Sequence, residues 1–208
     1  YNMAFATIDV TKGITGTIPV ANGGTGVASG TTGQFLKFTG STTLASAAVS
    51  GNPITEVDQW RVTSNFSGDA NPIASNWERN DTDFEKIGTG LTNSSGYFSF
   101  PVTGKYRIDA QHLLTTASAS DSQYNELHIR FTSNNTTYYK RATASSLLQI
   151  TAGTDGQAIN YCTCIVDVTD TSNCKFMLNV EVANNNTVTL GASDRQFTGF
   201  TVVRLGDT

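Results

Sequence analysis

The sequence predicts an all-β fold, an antiparallel sandwich of two sheets preceded by an extended, glycine-rich arm. Charged residues make up only 14% of the 208-residue chain, whereas Thr, Ser, Asn and Gly are abundant, a balance that disfavours helices. From Val57 onward apolar and polar residues alternate: Tyr106, Ile108, Ala110, His112 and Leu114 face one way, Arg107, Asp109 and Gln111 the other. Clusters of Asn, Gly, Ser and Asp separate such runs, as turns separate strands.

The first fifty residues carry three charges, Asp9, Lys12 and Lys37, and no periodic apolar face. Short extended pieces are predicted at 4–10, 18–21 and 34–38, with glycine turns between them. Residues 15–26 hold four glycines and Pro19, which prevents a helix and lets several extended chains lie close together. This part cannot offset its chain entropy alone. Ile14, Ile18, Val20, Phe35, Leu36 and Phe38 are too many apolar groups for a free linker, so ordering by association or docking is expected. Residues 1–40 are therefore read as an attachment arm, 41–56 as a linker and 57–208 as a single knob domain.

Within the knob, strands are predicted at 59–64, 84–86, 97–100, 104–114, 127–131, 138–143, 158–168, 176–182, 187–190 and 197–205. Leu127, Ile129 and Phe131 alternate with Glu126, His128 and Arg130, and Phe176, Leu178, Val180 and Val182 with Met177, Asn179 and Glu181. Nine or ten short strands of this kind suit a two-sheet jelly roll. The last strand is apolar on both faces, Phe200 and Val202 on one, Val203 and Leu205 beside Thr201 on the other. One sheet layer cannot hide both sets, so a second buried surface is needed, and association of copies supplies one. Tyr106, Phe176, Phe200 and Val202 are the candidate contacts between copies.

Gly96-Tyr97-Phe98-Ser99-Phe100-Pro101-Val102-Thr103-Gly104-Lys105-Tyr106, followed by a strand bearing His112, resembles the central signature of the complement-type globular head. That jelly-roll family also includes tumour necrosis factor (TNF). Phe197-Thr198-Gly199-Phe200-Thr201-Val202-Val203 is similar to the family's closing strand. Gly96 and Gly104 permit tight turns around a short strand, and Pro101 marks where its pairing stops. The resemblance spans roughly 57–205 and implies a TNF-like knob and a homotrimer.

Separately, residues 16–26, GTIPVANGGTG, are similar to a short element of bacteriophage tail-fibre and other virion proteins. Together the two resemblances imply a homotrimeric short fibre or capsid-decorating spike on the particle surface, made in the host cytoplasm. Its arm would contact other virion proteins, capsid or tail, through Ile14, Ile18, Pro19 and Val20. The alternative is the receptor-binding tip module of a tail fibre, whose partner is a host surface glycan or protein. Trp77 in a polar loop, with Tyr139 and Arg141 from the Tyr138-Tyr139-Lys140-Arg141 run, are the candidate recognition residues, since aromatics and cations together stack on sugar rings and donate hydrogen bonds.

Other chemistries find little support. A net charge of −4 with 13 scattered Lys and Arg leaves no basic stripe for nucleic acid or anionic membranes. The apolar runs fall far short of a membrane span, and the first twenty residues lack the basic start and apolar stretch of a secretion signal. Nucleophile-elbow, zinc-protease, phosphate-loop and dinucleotide motifs are all missing, so no enzyme activity, catalytic residue or cofactor is expected.

His112 is expected in the core, His128 in solvent. Asn80-Asp81-Thr82-Asp83-Phe84-Glu85 offers three carboxylates but neither the glycine turn nor the distal glutamate of a helix-loop-helix calcium site, so a solvated loop and no metal are expected. Cys162 and Cys164 lie two apart on one strand face and cannot easily bond to each other. Three reduced, partly buried thiols are expected, with Cys174 opposite Val168 if residues 169–173 close a hairpin.

Overall fold

A computed structural model describes residues 25, 27, 30–41, 43–47, 54–116, 121–149 and 156–208. The chain divides into two units, Tyr1–Asn52 and Pro53–Thr208. In the first, β1 (Phe35–Phe38) pairs antiparallel with β2 (Leu44–Ala47), Phe35 opposite Ala47 and Phe38 opposite Leu44. β1 falls on a predicted strand, but β2 lies where a plain linker was expected. The Thr39 amide donates to the Thr43 carbonyl at 2.9 Å and turns the chain back on itself. Ile14, Ile18, Pro19, Val20 and the strands predicted at 4–10 and 18–21 lie outside the described residues.

The second unit is built from β3 (Val57–Val62), β4 (Phe66–Ser67), β5 (Trp77–Arg79), β6 (Thr92–Ser94), β7 (Tyr97–Ser99), β8 (Gly104–Thr116) and β9 (Ser122–Thr132). It continues with β10 (Tyr139–Leu148), β11 (Gln157–Val168), β12 (Lys175–Val182), β13 (Thr187–Thr189) and β14 (Gly199–Gly206). No helix occurs among the described residues. One sheet runs β10-β9-β12-β7-β6. In the other, β8 is central: β11 pairs along one side of it, and β14 and β13 share the other side. β3 and β5 extend that sheet beyond β14, and β4 extends it beyond β13.

The alternation in β8 explains how the layers meet. Tyr106, Ile108, Ala110, His112 and Leu114 are all buried, as their spacing predicts. Phe98 of β7 stands at the centre of the core, edge to face with Phe200 at 4.6 Å and Trp77 at 5.1 Å, and stacked on Phe176 at 5.3 Å. Rings from both sheets thus interlock in favoured aromatic geometries.

The β6–β7 turn uses Ser95 and Gly96, both at positive φ, as a two-residue hairpin requires. A Cβ at Gly96 would sit 2.2 Å from the Ile73 carbonyl oxygen, so only glycine fits there.

Two expectations are corrected. No strand forms at 84–86; Val57 instead makes an isolated bridge to Ile87. Local polar groups satisfy the neighbouring backbone, with Glu56 accepting from the Thr89 and Gly90 amides. Residues 169–173 do not close a hairpin, because β11 and β12 belong to different sheets and the segment crosses between them. Cys174 therefore has no ladder partner at Val168; its amide donates to the Asp170 carbonyl at 2.8 Å. All three cysteines are free thiols. Burial pushes Cys162 up to about 12 and Cys164 up to about 11, which keeps both protonated and inert.

Candidate functional site

The face of the seven-stranded sheet turned away from the core is the unusual surface of the second unit. A sheet with one covered face normally carries polar groups on the other. Here the outward side chains of β11 are Ile159, Tyr161, Thr163, Ile165 and Asp167. Ile159, Tyr161 and Ile165 leave 61%, 59% and 63% of their surfaces open.

Register assembles these positions into rows. Ile165 lies opposite Arg107 of β8, which lies opposite Val203 of β14, which lies opposite Val57 of β3. One row on, Thr163, Asp109, Thr201 and Gln59 line up; beyond them come Tyr161, Gln111, Gly199 and Arg61. The face therefore carries three open apolar side chains on β11, interrupted by Thr163, and is polar across its middle.

The polar middle is tied together within the chain. Arg107 Nε donates to Asp109 Oδ2 at 2.7 Å, and Gln59 Nε2 to Thr201 Oγ1 at 3.0 Å. The Gln111 side chain donates to the carbonyls of Gln196 and Phe197. Tyr161 also bonds Asp109, and its phenol is raised, first by burial and then by that carboxylate. These residues border an open cleft of about 430 Å³.

The candidate contacts between copies need correction. Tyr106, Phe176, Phe200 and Val202 are buried inside one chain's own sandwich. The Tyr106 hydroxyl donates to the Val102 carbonyl at 2.9 Å, and burial pushes its phenol up to about 12. None of the four can meet a neighbouring chain. On β14 the buried set is Phe200 and Val202, and the set left outside is the complementary one, with Thr201 and Val203.

Ile159, Tyr161 and Ile165 were missed, although the signal was present. The run 158–168 is apolar on both faces, the same double pattern that singled out the last strand.

Trp77 is likewise not a loop residue. It lies on β5 with its indole N–H donating to the Ile73 carbonyl at 2.6 Å and its ring against Phe98 and Phe200. Tyr139 and Arg141 are exposed, and the Arg141 guanidinium lies 5.6 Å from the Tyr139 ring centroid. β10 is an edge of the five-stranded sheet and packs beside β11, whereas β5 is the opposite edge of the other sheet, so the three candidates do not form one site.

His128 is fully buried, contrary to the expectation of a solvated ring. Its Nδ1 pairs with Thr143 Oγ1 at 2.9 Å, and the Lys140 ammonium donates to its Nε2 at 2.9 Å. Burial first, and Lys140 second, lower its proton affinity. Glu126, His128 and Glu181 bring ligand atoms within 4.8 Å of one another, but Lys140 stands among them, 3.3 Å from Glu181, and supplies the positive charge. In the loop considered for calcium, Asp81 is held by Arg61, a guanidinium that Glu78 also binds at 2.9 Å.

No family model matches this sequence, and no curated protein matches it. Comparison with solved structures does find relatives in shape. Murine APRIL, from a crystal at pH 5.0, superposes with a TM-score of 0.51 at 12% identity, covering 72% of this chain and 98% of APRIL. Eiger TNF from S. frugiperda superposes with a TM-score of 0.55 at 13% identity, covering 76% of this chain and 96% of Eiger.

The fold is a TNF-like jelly roll. The TNF-like knob expected from residues 96–106 and 197–203 is thereby found. Identities this low extend the likeness to the fold alone. What the TNF-like unit does follows from its own surfaces.

Proposed function

We propose that this chain is a structural virion protein of a bacteriophage, a homotrimeric short fibre or capsid-decorating spike with the arm anchored to the particle and the knob exposed. The observation that carries the assembly is the β11 stripe, Ile159, Tyr161 and Ile165, standing open on a sheet face that has no core to cover. Large apolar side chains clustered and exposed on one sheet face mark association surfaces. Closed rotational symmetry lets three copies bury the stripe on every chain at once.

The arm supports the anchoring half of the reading. Phe35, Leu36 and Phe38 of β1 are all more than half exposed, and a two-stranded hairpin is marginal without something to pack on. The virion assignment itself rests on the GTIPVANGGTG element.

A receptor-binding tip module is the second reading, favoured by the open Tyr139 ring with Arg141 above it. Threefold repetition would strengthen any weak contact made there with a host glycan or protein.

Labelling purified phage particles with antibody raised against residues 57–208 tests the virion reading. Label on the particle surface is expected; unlabelled particles from a phage that encodes and expresses the chain would remove it.

A further inference from the structure

The outward face of the five-stranded sheet ends in a cleft of about 390 Å³ lined by Ser94, Tyr97, Asn135, Thr136, Tyr138 and Lys175. Its floor is set by register. Ser94 of β6 lies opposite Tyr97 of β7, and Lys175 of β12 lies opposite both Ser99 of β7 and Thr132 of β9. Alternation sends Phe98 and Phe176 into the core, so Tyr97 and Lys175 point away from it. The turn after β9 supplies the wall.

That wall is fixed before any ligand arrives. Asn134 Oδ1 accepts from the Thr136 amide at 3.1 Å and the Thr137 amide at 3.0 Å, and Thr132 Oγ1 donates to the same oxygen at 2.8 Å. The Tyr138 ring then stands against Tyr97, with centroids 5.3 Å apart and planes inclined by 52°. Burial first, and Tyr97 second, raise the Tyr138 phenol, which therefore remains a protonated donor.

The chemistry of the lining selects a ligand. Two inclined phenol rings give an apolar body with polar rims, suited to a pyranose that has C–H groups on its faces and hydroxyls on its edge. Asn135, Ser94 and Thr136 offer both donors and acceptors to such hydroxyls. Lys175 is the one charged residue in the lining, and no carboxylate accompanies it. No ion pair engages Lys175 among the described residues, so its ammonium is available to an incoming anion.

We propose that this cleft binds an acidic saccharide, with Tyr97 and Tyr138 against the sugar ring and Lys175 on its carboxylate. The site is separate from Trp77, Tyr139 and Arg141 and from the β11 stripe. It goes beyond the virion reading and does not depend on it, since a single chain carries the whole cleft. Three copies would turn a weak monovalent contact into useful avidity.

Saturation-transfer NMR on the full chain tests the proposal, using trigalacturonic acid and its trimethyl ester as probes. Transfer to the pyranose ring protons of the acid is expected, with the neutral ester bound several-fold more weakly. Tyr138→Ala should weaken the acid by about threefold to tenfold. Lys175→Gln, an outward-facing change that leaves the core intact, should bring the acid down to the level of the ester. Absence of transfer from either probe would overturn the site. Equal binding of acid and ester, unchanged by Lys175→Gln, would overturn the acidic selectivity, and binding untouched by both variants would place any saccharide elsewhere. The particle-labelling result is independent of each of these outcomes.

Discussion

Ile165 stands directly opposite Arg107 in the β11–β8 ladder, with 63% of its surface open, although Val166 beside it is buried in the core. An apolar residue so placed gains nothing from its own sandwich. Together with Ile159 and Tyr161 it makes β11 a strand with two apolar faces, one used within the chain and one left for a neighbour.

The inner face predicts a steep loss of stability from a single ring. Phe98 touches Trp60, Trp77, Phe176 and Phe200 and is fully buried. Phe98→Ala removes the piece that joins the sheets and should cost about 3–5 kcal/mol in urea unfolding at fixed protein concentration. Tyr139→Ala, on the exposed edge, should stay within about 0.5 kcal/mol of the parent. Equal costs for the two would contradict the core described here.

Stability should also fall in mild acid. Burial pushes His112 from its ordinary 6.5 down to about 4, and only Nε2 has a partner, Thr189 Oγ1 at 2.9 Å. As pH falls through 6.5 the unfolded chain takes up this proton and the folded chain does not. The contribution is intact above about 6.5, declines toward 4, and then levels off after a loss of about 3 kcal/mol. His128 is shifted the same way and adds to the trend. In urea unfolding at pH 7 and pH 4.5, His112→Asn should shrink the difference by about 2 kcal/mol; an unchanged difference would show that His112 titrates normally when folded.

The sheet order could not be read from the chain, whereas most strands could. Alternation at 104–114 and 176–182 marks strands because each has one clearly apolar face. Residues 84–86 misled because Phe84 and Ile87 look strand-like while the neighbouring Asp81 is drawn away to Arg61. Trp77 misled in the opposite sense: polar neighbours suggested a loop, but the indole meets rings that are distant in sequence.

Long-range geometry also hid the sites. Tyr97, Tyr138 and Lys175 come from three parts of the chain and share a cleft only once β6, β7, β9 and β12 are in register. His128 looked solvated because its strand face points outward, yet Lys140, Thr143 and the two glutamates close over it. Local pattern fixes which face a residue takes, and only tertiary neighbours decide whether that face is wet.

The most direct test of the association surface is the solution mass of the full chain beside an Ile159→Asp, Ile165→Asp double variant, by light scattering at matched concentration. The parent should weigh three times the 22.2 kDa of one chain. The variant should weigh 22.2 kDa while keeping the parent's far-ultraviolet β signature, because both changes lie outside the sandwich. A monomeric parent, or a variant that remains trimeric, would contradict assembly through the β11 stripe.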